Sequence, residues 1–113
     1  MADNCNIITL YKFRDGESID DVANNLVYKL DNNCFKATYK DSFVAYLEFE
    51  LDNNIMTITH TVVDSKFGGR GIAKALLDLA IDLAKKSNYK INPICSYANH
   101  VLHKDDKYKD LLV

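Results

Sequence analysis

The chain predicts a mixed α/β (α+β) fold: a largely antiparallel sheet, a long helix after the third or fourth strand, and a short C-terminal helix. Three observations carry this. Phe43, Ala45, Leu47, Phe49 and Leu51 alternate with Val44, Tyr46, Glu48 and Glu50, the cleanest period-two signal present. Ile72, Ala73, Leu76, Leu79, Ala80, Leu83 and Ala84 fall on one wide stripe at helical spacing. Between the two, Phe67-Gly68-Gly69-Arg70-Gly71 holds three of the chain's four glycines. A loop so rich in glycine, opening a helix, brings backbone close to a ligand. Amides point out of a helix N-terminus and its dipole favours negative charge, so the usual ligand is a phosphate.

The elements follow in order. Ile7–Phe13 reads as a short strand, broken at Arg14-Asp15-Gly16. Ser18 followed by Asp21 resembles a capping box with Asp in place of Glu. Ile19, Val22, Ala23, Leu26, Val27 and Leu30 then recur at helical spacing and predict a helix over 19–30, weakened by Asn24-Asn25. Asp31-Asn32-Asn33 turns the chain, Phe35–Tyr39 is a strand, and Lys40-Asp41 turns it again. After the alternating strand and a turn at Asp52-Asn53-Asn54, the β-branched run Ile55–Val63 fits a central strand. The long helix starts at Ile72 and ends near Ser87-Asn88, with Lys85 and Lys86 placed to suit its dipole. Tyr89–Cys95 is a short strand whose Pro93 puts it at an edge or splays it there. A second helix runs from Ser96 to about Lys104, and Tyr108, Leu111 and Leu112 pack back on the body. The strand–helix–strand crossover sets the last strand parallel to the strand before the loop.

At 113 residues the chain makes one domain over 1–113, with no repeat and no low-complexity linker. Net charge is −2 and no Lys/Arg run exceeds Lys85-Lys86, so a nucleic-acid partner is not expected. An anionic ligand needs only a local nest of amides. No apolar stretch is long enough for a membrane span and the N-terminus lacks the positive region of a signal peptide. Cys5, Cys34 and Cys95 are odd in number and far apart. They form neither a disulfide framework nor zinc spacing, which points to a reducing cytoplasm. His100 and His103 share a helix face but lack a third ligand, so no metal site is expected.

The loop lacks the glycine spacing and Gly-Lys-Ser/Thr ending of a Walker loop. Too little chain follows it for a dinucleotide-binding half. Gly69 and Gly71 let backbone pass close to a pyrophosphate, and Arg70 either adds a charge-assisted contact or faces water. At these residues the chain resembles the small GNAT-type acetyltransferases, a compact N-acetyltransferase group, over roughly Phe35–Leu112. Three blocks carry the resemblance: Thr59-His60-Thr61-Val62-Val63, Phe67-Gly68-Gly69-Arg70-Gly71-Ile72-Ala73, and Pro93-Ile94-Cys95-Ser96-Tyr97-Ala98 followed by His100. Residues 1–34, an N-terminal strand and helix, lie outside it.

The resemblance implies a GNAT-like sheet and an acetyl-CoA-dependent N-acetyltransferase. It places Thr61, Val62 and Val63 against the pantetheine arm and the amides of Gly68, Gly69, Arg70, Gly71, Ile72 and Ala73 on the pyrophosphate. Tyr97, Asn99 and His100 would line the acetyl-CoA or CoA site. Lys66 stands where broader relatives carry Gln or Arg, and Gly68 where many carry Arg. The resemblance also sets Cys95 near the thioester, just before a predicted helix whose amides lower a thiol pKa within reach. Cys95 is a candidate acetylated intermediate, a proton donor, or a lining residue. His60 is the general-base candidate. Alternation puts His60 and Val62 on one strand face and Thr61 and Val63 on the other. The acceptor is a small-molecule amine or an exposed peptide amine, attacking in a ternary complex or through a cysteine. The alternative is a catalytically inactive CoA-binding module acting as sensor or interaction protein, as monomer or homodimer.

Overall fold

Paired asparagines set two of the chain reversals. In the computed structural model, which describes residues 16–40 and 42–113, Asn53 and Asn54 both take positive φ (53° and 63°). Asparagine tolerates that left-handed region, and two such residues close the tight hairpin whose twist matches the flanking strands. They join β3 (Ser42–Asp52) to β4 (Ile55–Val63), with Asp52 opposite Ile55. Asn32, at φ 46°, helps turn β1 (Val27–Asp31) into β2 (Cys34–Tyr39). The sheet order is β1-β2-β3-β4-β5, antiparallel except that β5 (Lys90–Pro93) runs parallel to β4. The crossover between β4 and β5 is the long helix, as the sequence predicts.

That crossover helix is Ile72–Ser87, α2 in chain order after α1 (Ile19–Asn24). Asn88 stops α2 in the left-handed conformation (φ 58°). Its N–H donates to Lys85 O and that of Tyr89 to Ala84 O, the Schellman pattern that satisfies terminal carbonyls. Ile72, Leu76, Leu77, Ala80, Ile81 and Ala84 are buried against the sheet. The buried stripe is rotated from the predicted one: Leu77 and Ile81 are in the core, and Leu79 stands 36% exposed. Apolar residues at 76, 77, 79, 80, 81, 83 and 84 fit more than one face, and only docking on the sheet selects one. Phe35, Leu47, Phe49, Met56 and Ile58 supply the facing layer. α3 (Ser96–Lys104) follows β5, and a 3₁₀ segment, Asp106–Leu111, returns the chain. Tyr108 is buried, and Leu112 bridges to the outer edge of β5 at Ile91.

One element differs from the sequence reading. The helix expected over 19–30 ends at Asn24, and Val27–Asp31 is a strand. Ser18 caps α1 as expected, accepting from the amides of Asp20 and Asp21. Asn25 ends it, its N–H on Val22 O and its side chain on Asp21 O. Leu26, Val27 and Leu30 continue the helical spacing, yet pairing with β2 overrides so weak a local preference. Ser18→Ala should cost about 1 kcal/mol or less, because the cap is exposed and holds a single short helix; urea unfolding measures this.

The strand expected over 7–13 lies outside the described residues. Cys34 is disulfide-bonded, which the cysteine spacing does not predict. Among the described residues, no helix is long and apolar enough to cross a membrane.

Candidate functional site

β4 and β5 are hydrogen-bonded only over Ile55–Ile58 and Lys90–Pro93. Pro93 has no amide to continue the ladder. The next two amides, of Ile94 and Cys95, both donate to Ile58 O. Beyond that point the strands part: β4 continues to Val63 while the chain after Cys95 turns into α3. The result is a wedge in the sheet, with the second half of β4 on one side and the start of α3 on the other.

A bulge sets which side chains look into this wedge. Phe49 pairs with Ile58 and Glu48 with His60, so Thr59 is the extra residue. It resets the alternation. Thr61 and Val63, opposite Leu47 and Ala45, take the face that packs on the helices. His60 and Val62, opposite Glu48 and Tyr46, take the other face. On the helix face, Cys95 Sγ donates to Thr61 Oγ1 at 3.4 Å, so the two predicted blocks meet across the wedge. On the other face, His60 Nδ1 lies 3.0 Å from Glu48 Oε1, and Thr59 Oγ1 donates to the same oxygen at 3.0 Å. The two catalytic candidates, Cys95 and His60, therefore occupy opposite faces of β4.

At the wide end of the wedge, Val63, Phe67, Gly68, Gly69, Gly71, Ile72, Ala73, Lys74 and Tyr97 line a cleft of about 280 Å³. Phe67 anchors it from the core, at 1% exposure. Asp64 caps the preceding 3₁₀ turn by accepting from Lys66 N–H at 2.9 Å. Gly69 and Gly71 take φ of 76° and 77°, where an L side chain is strained, and a Cβ at either would meet nothing within 4 Å. Gly71 is the N-cap of α2 and offers no side-chain acceptor; the first amide bonded inside the helix is that of Ala75, to Gly71 O. The first-turn amides of a sixteen-residue helix thus border the cleft with no side chain capping them. These residues fit an anionic phosphate group.

Not all predicted residues line this cleft. The Arg70 guanidinium is held by Asp20 at 2.6 Å, tying the loop to α1. Asn99 donates to Pro93 O at 3.3 Å, bracing the turn into α3, and His100 is exposed on that helix. Lys74, in contrast, lines the cleft and was not singled out by sequence. Its proton is held more tightly than usual, chiefly by the hydrogen bond to Asp78 at 2.8 Å. Tyr97 has its phenol pKa raised, chiefly by burial. Glu48 was likewise missed, because it reads as an ordinary outward position of an alternating strand. Only the cross-strand register sets it against His60.

A family model described as GCN5-related N-acetyl-transferase matches residues 34–111. The chain is similar to a GCN5-like protein from Staphylococcus aureus, with 35% identity and a TM-score of 0.67, over 79% of this chain and 89% of that one. It is similar in fold to a ribosomal-protein-alanine N-acetyltransferase from Brucella melitensis, with 22% identity and a TM-score of 0.50. That match covers 71% of this chain and 60% of the other, so the chain spans less than two thirds of that protein's length. No curated protein matches the chain significantly.

Proposed function

Because the chain belongs to the GCN5-related N-acetyltransferase family, we propose that it moves an acetyl group from acetyl-CoA to an amine, without a covalent enzyme intermediate. The observation that carries the reading is the wedge between β4 and β5, which ends at the glycine-lined cleft. Acetyl-CoA, when bound, would supply the acyl group as a thioester. The amides of Gly69 to Ala73 suit its pyrophosphate, by charge and by the open space above the glycines. The main chain of Thr61–Val63, freed where β5 leaves, offers hydrogen bonds to the amide-bearing arm.

Direct transfer is favoured by the placement of Cys95. A nucleophilic thiol is activated by a neighbouring base or by helix N-terminal amides that bond to it. Cys95 is the N-cap of α3, but its side chain makes no cap hydrogen bond. The partner of Cys95 is the Thr61 hydroxyl, and His60 lies on the opposite face of β4. A wedge open through the sheet lets acyl group and amine arrive from different faces. The acceptor is a small-molecule amine or an exposed peptide amine.

Titration calorimetry with acetyl-CoA and with CoA tests the cofactor. Binding in the micromolar range is expected for both, and no heat at millimolar ligand sinks the proposal. Thiol release from acetyl-CoA with a panel of amines tests transfer; binding without release from any amine favours the sensor reading. Cys95→Ala should keep kcat within about tenfold, as expected for a lining residue; a loss of about a thousandfold or more would indicate a covalent cysteine step.

A further inference from the structure

An exposed histidine on a strand is unremarkable until its partners are counted. His60 has 66% of its side chain exposed, so packing does not fix its ring. Glu48 does. This carboxylate is half-buried, at 22% exposure, and is itself held by Thr59. Thr59 is the bulge residue, so the irregularity that separates the two faces of β4 also supplies the hydroxyl that aims Glu48. The face around them carries Lys36 from β2 and Tyr46 from β3, by register. Lys36 is engaged elsewhere, with Asp31 at 2.9 Å. Tyr46 has its pKa raised by burial and by the nearby Glu48 charge.

A carboxylate accepts only, so the nitrogen that faces it carries the hydrogen. With Nδ1–H committed to Glu48, Nε2 of the neutral ring is left as a bare acceptor. We propose that Glu48 is the positioning residue for His60, holding the ring in the Nδ1–H tautomer so that Nε2 takes the proton the acceptor amine releases. The amine nitrogen bonds to the acyl carbon, and the carbon–sulfur bond breaks with its electron pair on sulfur. The amine's proton passes to Nε2, where the resulting imidazolium faces the Glu48 charge, and from there to solvent. The departing thiolate takes its proton from water. This assignment rests on the acetyltransferase reading, but its first test does not.

The test is long-range ¹H–¹⁵N spectroscopy of the histidine rings at about pH 8.5, where an ordinary imidazole is neutral. In the wild type, His60 should be predominantly Nδ1–H. In Glu48→Ala it should become a mixture. A wild-type Nε2–H ring, or a tautomer unmoved by the substitution, overturns the proposal even if no acceptor is found. Kinetics give the second test. Glu48→Ala should lower kcat about 10- to 100-fold, part of what a general base contributes, with CoA affinity unchanged. In the His60→Ala background it should have no further effect, since both act through one ring. Additive losses, or a loss confined to CoA affinity, overturn it. Glu48→Gln, nearly isosteric, covers the case in which the alanine variant does not fold: kcat should fall while KM holds, and an unchanged kcat overturns the proposal.

Discussion

Gly71→Val should weaken CoA binding by about 100-fold or more while leaving the domain folded. The loss follows from what the residue does rather than from what it touches. At φ 77° it turns the chain so that the first amides of α2 open on the cleft. A β-branched residue there is a steric outlier. Relaxing toward negative φ swings those amides away. An amide bonded to a charged group contributes roughly 1.5–3 kcal/mol, and each 1.4 kcal/mol is about tenfold in affinity, so two lost bonds give at least that factor. The cost to folding is smaller, about 1–3 kcal/mol of backbone strain, since a Cβ meets nothing within 4 Å. Gly16→Val is the matched control. Gly16 also has positive φ (86°) and open space, but it does not line the cleft. It should lose stability and keep CoA binding. If both variants bind CoA as the wild type does, the glycine loop is only a turn.

Phe49→Ala should be the costliest core truncation, about 3–5 kcal/mol by urea unfolding. Phe49 is 1% exposed, with its ring centroid 5.6 Å from that of Phe35. It sits on β3 opposite Ile58, the residue that precedes the bulge and makes the last pair between β4 and β5. A cavity there removes the packing that holds the register change. Phe49→Leu, which restores most of the volume, should recover the larger part of the loss. A cost below about 1 kcal/mol for Phe49→Ala would mean that the bulge is held by its hydrogen bonds alone.

Much of this protein was legible from residue order because its signals are local. Alternation marked β3, a β-branched run marked β4 to the residue, and asparagine and glycine marked the turns. Each reports the conformation that a few neighbouring residues prefer. The glycine loop belonged to this class, since three glycines before a helical stripe mark a turn into a helix N-terminus within seven residues. The three blocks also suggested the family that residues 34–111 match.

What tertiary structure decided is non-local. Val27–Asp31 became a strand because β2 offered a ladder stronger than the helical preference of so short a segment. α2 buried Leu77 and Ile81 rather than Leu79 because the sheet chose among several apolar faces. The separation of His60 from Cys95, and the pairing of His60 with Glu48, depend on one extra residue at Thr59. A single bulge exchanges the faces of every side chain beyond it, and no pattern in β4 announces one. Alternation along β4 already set His60 with Val62 and Thr61 with Val63; which of the two pairs faces the helices was settled only by the register with β3.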